Sequence, residues 1–229
     1  PNAELRRIFT MMGSVRLVLF GPPGAGKGTQ ALYLRDYLAV PHISSGDLFR
    51  YHLQQKTHLG VQASEYINQG LLVPDKVTIE IILDKLLNLQ PTDGFLLDGF
   101  PRTEYQARIL SENLATKSKN IDRVIYIDVP ITELVRRLSN RYICSDCQAP
   151  QQVNPLEPKK CSLCGGELYQ RADDNTDSIN TRLDVYERET VPVLDFYRSQ
   201  DLVITIDGTG SINCINKRVQ KQIEDLLSQ

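Results

Sequence analysis

The chain has 229 residues, 41% of them hydrophobic and 24% charged, and its 26 basic and 28 acidic side chains leave a net charge of −2. A chain this long buries a full core unaided, so a metal or disulfide has only local work to do, and the near-even charge argues against a general pull toward nucleic acid or anionic membrane. No apolar run approaches the roughly 18 to 20 residues of a membrane-spanning helix.

Residues 1–14, "PNAELRRIFTMMGS", begin without Met and lack the apolar segment of a secretory signal. They read as a leader or cloning remnant outside the fold, with Met11 or Met12 as the natural start and a trimmed transit peptide as the alternative. Without an export signal the expected location is cytoplasmic and reducing, where closely spaced cysteines favour metal over disulfide.

Next comes "VRLVLF" (15–20), a β-branched and aromatic run without helical period. "GPPGAGKGT" (21–29) and then "KGTQALYLRDYLA", apolar at helical spacing, complete a strand, loop and helix. G-x4-G-K in that setting is a phosphate loop: the glycines let backbone N–H groups approach phosphate oxygens, the helix N-terminus adds positive potential, and Lys27 reaches the transferred group. Gly28 stands where many such loops have the Ser or Thr that holds Mg²⁺, and Thr29 follows one position late. Magnesium is therefore expected to lean on nucleotide and water, with Thr29 a partial substitute.

Residues 44–73 form a helix-rich insert without a strong strand. Strand-like runs recur at "FLLD" (95–98), "RVIYIDV" (123–129) and "LVITID" (202–207), with helical stretches at 75–89, 103–117 and 211–228. Such alternation predicts an α/β fold, a parallel sheet covered by helices. The predicted division is a core of 15–43, 74–141 and 171–229, interrupted by the 44–73 insert and a second one at 142–170.

The second insert carries C-x2-C-x13-C-x2-C. Cys144, Cys147, Cys161 and Cys164 suit a closed, structural four-thiolate Zn²⁺ site. From Tyr142 to Tyr169 large apolar side chains are few, each contributing at most ~1.5 to 3 kcal/mol, whereas ordering backbone costs ~1 to 2 kcal/mol per residue. Zinc, contributing roughly 10 to 16 kcal/mol, can hold the segment as a rigid flap. The fifth cysteine, Cys214, is expected to be a small core residue of the last helix. His42, His52 and His58 show no ligand or triad spacing and are assigned no function.

With "SSGDLFR" (44–50), "LLDGFPRT" (96–103) and "RADD" (171–174) beside the phosphate loop, the sequence resembles the adenylate kinase family in its long form with a metal-binding lid, from about Val15 to the C-terminus. The resemblance implies a P-loop nucleoside monophosphate kinase fold with a five-stranded parallel sheet, a helical AMP-binding insert and a zinc-ribbon-like lid. It implies a monomer exchanging ATP, AMP and ADP, without nucleic acid or membrane, in the Mg²⁺-dependent reaction ATP + AMP ⇌ 2 ADP. Moving a phosphoryl group between two polyanions calls for positioning and cations more than for acid–base chemistry.

By the same resemblance Lys27, Arg102, Arg141, Arg171 and Arg182 are the catalytic cations. Gly24, Ala25, Gly26, Lys27, Gly28, Thr29, Arg137, Arg141 and Gly210 would meet ATP, with Arg137 against its base. AMP would meet Ser45, Arg50, Leu71, Leu72 and Val73, then Gly99, Phe100, Pro101, Arg102, Gln106, Arg171 and Arg182. Gln106 has an amide able to pair with adenine's edge, and Asp98 would orient magnesium-bound water. Read alone, Arg137 and Arg141 at i, i+4 suggest a solvated helix face, and Asp173 and Asp174 suit either a helix cap or the closing hinge. Pro150 and Gln151 stand where the family often has a hydroxyl residue and an aromatic touching ATP, which leaves GTP open as donor, or another monophosphate as acceptor. Competing readings are a zinc-ribbon nucleic-acid-binding ATPase and a regulator that hydrolyses ATP unassisted.

Overall fold

A computed structural model describes residues 15–89, 94–147, 149–153 and 160–227, with Ala172 and Leu227 described in backbone only. The expected leader (1–14) and positions 148 and 154–159 of the expected lid lie outside the described residues, as do 90–93 and 228–229 of the expected core.

The core sheet has five parallel strands: β1 (Arg16–Phe20), β2 (His42–Ser44), β3 (Phe95–Asp98), β4 (Arg123–Asp128) and, last in the chain, β8 (Val203–Asp207). Their order is β2-β3-β1-β4-β8. β2 is the strand that periodicity did not pick out; at three residues, His-Ile-Ser, it is too short to carry a pattern, and its backbone partner β3 defines it. Continuous apolar runs follow from burial on both faces. Leu17 and Leu19 of β1 point to one cluster with Leu34, Ile125, Ile127 and Val219, while Val18 and Phe20 point to another with Phe95, Leu97, Leu110 and Tyr197.

Helices α1 (Lys27–Leu38), α4 (Asp75–Leu87), α5 (Glu104–Ala115), α6 (Ile131–Ser139), α7 (Thr176–Val185), α8 (Val191–Arg198) and α9 (Ile212–Leu227) belong to this core, and α1 and α9 pack together on one face of the sheet. A π-helical turn, Tyr186–Thr190, joins α7 to α8. Cys214 is exposed, contrary to expectation. The buried stripe of α9 is Ile215, Val219 and Ile223, spaced by four, and Cys214 lies a 100° step off it.

The first insert is an α-hairpin, α2 (Ser45–Gln54) and α3 (His58–Asn68), capped by Ser44 and Thr57, whose side chains accept from Asp47 N and Gly60 N. Phe49, Ala63 and Val73 form its small core. The second insert is an antiparallel sheet of β5 (Arg141–Cys144), β6 (Pro150–Gln152) and β7 (Leu168–Tyr169), in the order β6-β5-β7. Among the described residues its small buried cluster is Cys144, Cys161 and Leu168, with Tyr142 and Val153 partly covered, and Ile143 and Ala149 are buried besides. α6 ends at Ser139, so Arg141 opens β5 and shares no helix face with Arg137, which corrects the i, i+4 reading.

Candidate active site

β1 lies between β3 and β4, and the chain turns left to β3 and β2 but right to β4 and β8, so a crevice opens at the carboxyl ends of β1 and β3. The turn after β1 holds Gly21, Gly24 and Gly26 at φ +146°, +85° and +96°. At Gly21 a Cβ would stand 2.7 Å from the Ile127 carbonyl oxygen, and at Gly24 it would stand 2.9 Å from Leu138 Cγ, so a side chain at Gly21 would push the loop off the sheet and one at Gly24 would push it off α6. Gly26 caps α1 without a side chain and no acid stands in the first turn, which leaves the helix's positive end open to an anion.

Lys27 Nζ donates to the carbonyls of Gly21 (2.7 Å) and Pro22 (3.0 Å). Burial pulls its pKa down to about 8; Asp98 opposes this, while Arg102, Arg182 and Arg141 add to it. The same crevice is lined by Lys27, Arg102, Arg182, Gly99 and Leu72, and its back wall includes Tyr186 and Thr190.

Arg102 leaves β3 through the cis Phe100–Pro101 bond. Its Nε donates to the Gly99 carbonyl (2.8 Å), which also accepts from Ser45 Oγ (2.6 Å), and its own carbonyl accepts from Thr190 Oγ1 (3.0 Å). Burial and then Arg182 lower its pKa to about 10; Arg171 is lowered to about 10 by burial and then by Arg50 and Arg141. The buried Arg171 Nε has no hydrogen-bond partner. Like charges converging from β3, α2, β5, α7 and the hinge repel one another, and a bound polyanion removes that repulsion.

The hinge is organised by Asp174, 3% exposed, which takes a two-pronged contact from Arg141 through Nε (2.7 Å) and Nη2 and a third from Arg182 Nη1 (3.1 Å). Arg182 Nη1 also lies 3.2 Å from Asp173. Asn175 caps α7, accepting from Ser178 N, so the aspartate pair does not cap that helix, and its carboxylates go to Arg141 and Arg182. Arg137 is covered, its guanidinium reaching Glu133 (2.8 Å), the Gly208 carbonyl (2.8 Å) and the Ala25 carbonyl (3.4 Å), so it ties the phosphate loop to the loop carrying Gly210.

Not every expected residue offers its side chain to the crevice. Phe100 and Val73 turn theirs into the core clusters, Leu71 is exposed, and Arg50 pairs with Asp47. Gln106 is 1% exposed: its Oε1 accepts from Arg102 N and its Nε2 donates to Asp75. The sequence reading also missed His42, whose Nε2 sits 3.7 Å from Asp98 Oδ2, too far for a hydrogen bond. Burial would raise the Asp98 carboxyl, but His42 and the charge of Lys27 outweigh it and hold the pKa below the usual range. A Cβ at Gly28 would lie 3.9 Å from Asp98 Oδ2, so glycine leaves room above an ionised carboxylate, which suits a hydrated Mg²⁺.

In the second insert the four Sγ atoms of Cys144, Cys147, Cys161 and Cys164 lie within 4.8 Å of one another, with Cys144–Cys164 at 3.4 Å and Cys147–Cys161 at 3.6 Å. A thiolate tetrahedron about zinc, with Zn–S about 2.3 Å, has edges of about 3.8 Å, so the set fits. The Leu163 N–H, at 3.4 Å from Cys161 Sγ, is the largest of the influences that lower that thiol to about 7. Gln151 is spent inside the clip, where its Oε1 accepts from Ser162 Oγ (2.8 Å) and its Nε2 faces Cys161 Sγ (3.7 Å), which accounts for the departure seen at that position.

A family model described as adenylate kinase matches residues 19–202. Curated proteins named adenylate kinase are similar over nearly the whole chain. One from Methanocella arvoryzae is 49% identical over 93% of this chain and 100% of its own length. One from Alkaliphilus oremlandii is 48% identical over 87% and 94%, and one from Clostridium kluyveri is 44% identical over 91% and 98%.

Proposed function

The chain belongs to the adenylate kinase family, and from that membership we propose how its own residues carry out the transfer of the γ-phosphoryl of ATP to AMP, giving two ADP. The observation that carries the proposal is the convergence of Lys27, Arg102 and Arg182 on one crevice, with Arg141 tied to the same hinge.

ATP lies along the phosphate loop, with the amides of Gly24 to Thr29 around its phosphates and its base between Arg137 and the Gly210 loop. AMP lies under α2, its phosphate between Arg50 and Arg102 and its base against Ser45, the backbone of Leu71 to Val73, and Gln106. Lys27 leaves the loop carbonyls for the transferring group. Arg141, Arg171 and Arg182 close over it, neutralising the oxygens on which charge builds while the two nucleotides are held in line. Asp98, through water, and in part Thr29 would hold Mg²⁺, which when bound would supply charge neutralisation to the phosphates. Zn²⁺ in the four-cysteine clip would be structural, its role to keep the flap at 142–170 stiff enough to exclude water that competes with AMP.

All of these cations come from one chain, which supports action as a monomer, and the −2 net charge fits small nucleotides better than nucleic acid. Among the described residues no helix is long and apolar enough to cross a membrane. Closely spaced free thiols fit a cytoplasmic setting.

A coupled assay of ATP, GTP and CTP against AMP, GMP and UMP is expected to give its highest rate with ATP and AMP. Equal rates with GTP or UMP would overturn the substrate assignment, and phosphate release from ATP alone would favour an unassisted ATPase. A pH effect follows from Lys27: the free chain holds its proton only below about 8, and a polyphosphate beside it raises that value. Nucleotide binding at pH 8.5, where the phosphates are fully ionised, is therefore expected to take up a large fraction of one proton, read as a buffer-dependent enthalpy in calorimetry, whereas at pH 6.5 Lys27 itself takes up almost none. Equal enthalpies in all buffers at pH 8.5 would sink the role given to Lys27.

A further inference from the structure

An amide side chain has two ends of nearly equal shape and opposite hydrogen-bonding sense, so it reads a base only if something fixes which end is which. In Gln106 both ends are fixed. Its Oε1 accepts from Arg102 N at 2.7 Å, and its Nε2 donates to Asp75 Oδ1 at 2.7 Å. The other oxygen of Asp75 accepts from Thr103 Oγ1 at 2.9 Å, and that same hydroxyl caps α5 by accepting from Gln106 N at 3.2 Å. Turned over, the amide would set its NH₂ against the Arg102 N–H and its oxygen against the Asp75 carboxylate. Two hydrogen bonds would become two repulsions, at a site 1% exposed where water cannot make up the loss.

We infer that Asp75, at the start of α4, is a specificity-determining residue: by fixing the sense of the Gln106 amide it restricts the acceptor to 6-aminopurine monophosphates. The inference rests on the reading that Gln106 meets the acceptor base. Gln106 is covered and stands outside the residues that line the crevice, so the acceptor base meets it only by displacing what covers it; with the amide fixed, the second lone pair of Oε1 and the second N–H of Nε2 then match a base edge that offers a donor beside an acceptor. Adenine offers that pair, its exocyclic amine and N1. A 6-oxopurine offers the reverse, a carbonyl oxygen beside an N1–H, and needs the amide turned over. Asp75 touches neither substrate in this account and acts through Gln106.

The test compares AMP with inosine monophosphate as acceptor, ATP being the donor, for the unaltered chain, Asp75→Asn and Gln106→Leu. An amide at position 75 can accept or donate, and the Thr103 hydroxyl can reverse with it, so both senses of Gln106 become tolerable at that end while Arg102 N still favours one. The kcat/KM ratio of AMP to inosine monophosphate is expected to fall about tenfold in Asp75→Asn, chiefly through the acceptor KM. Because the ratio is taken within one protein, loss of folded material cancels from it. An unchanged ratio in Asp75→Asn, with a collapsed ratio in Gln106→Leu, would overturn the role of Asp75 and leave Gln106 as the base reader. A ratio unchanged in Gln106→Leu would overturn the base-reading assignment and the inference with it.

Discussion

Lys27→Met lowers kcat by roughly 10³-fold and leaves the protein folded, because methionine keeps an unbranched side chain one atom shorter, fills most of the same space and removes the ammonium with its hydrogen bonds to the Gly21 and Pro22 carbonyls. The loss falls on the transferring oxygens, where a preorganised cation in a water-poor crevice stabilises the transition state more than the ground state. The folded state should gain in exchange. Burial holds Lys27 at about 8, against 10.5 for a free lysine. A folded chain that binds fewer protons than the unfolded one between those values gains stability as pH rises through that window, and below pH 8 it carries the whole penalty. Removing the lysine lifts that penalty, on the order of 3 kcal/mol at neutral pH, offset in part by the hydrogen bonds to the Gly21 and Pro22 carbonyls that go with it, and the pH-dependent difference between variant and parent fades toward pH 10.5. Chemical denaturation at pH 7 and pH 10, beside a turnover assay, measures both halves. A variant that keeps more than a tenth of the parent kcat would remove Lys27 from the centre of the mechanism.

Stripping the metal is expected to melt the flap and leave the sheet intact. Among the described residues the flap buries Ile143, Cys144, Ala149, Cys161 and Leu168, against two much larger clusters of buried side chains lining the core sheet. Such a remnant cannot offset ~1 to 2 kcal/mol of backbone ordering per residue, whereas a four-thiolate zinc contributes roughly 10 to 16 kcal/mol. Hydrogen exchange after treatment with a strong chelator should show Tyr142, Ile143 and Leu168 exchanging rapidly while Val18, Leu97 and Ile125 stay protected. Turnover should drop more than tenfold, because Arg141, at the root of the flap, loses its bearing. One unfolding transition shared by flap and core, and indifferent to chelator, would refute the account.

The two predictions draw on different levels of information. Lys27 was legible because a phosphate loop is a local object: glycines at the positions that take positive φ, and a lysine at the first helical residue, are set by neighbours in the chain. The four cysteines were legible for the same reason, since a C-x2-C knuckle is closed by its own backbone N–H groups, as Asp146 N and Leu163 N do here at 3.4 Å from Cys144 and Cys161 Sγ. The strands at 16–20, 95–98 and 123–128 announced themselves by unbroken apolar runs, whereas His42–Ser44 is made a strand by pairing with β3.

What the sequence by itself determined is the kind of molecule: an α/β core wound around a phosphate loop, with two inserts and a four-cysteine clip, because each of these is written in residues close together in the chain. Only the tertiary structure decided the partners: that Asp174 gathers Arg141 and Arg182, that Asp75 holds Gln106, that Gln151 turns into the clip, and that Cys214 faces outward. A carboxylate or an amide can bond with any complementary group it meets, and which group that is depends on how elements distant in sequence come to rest against one sheet.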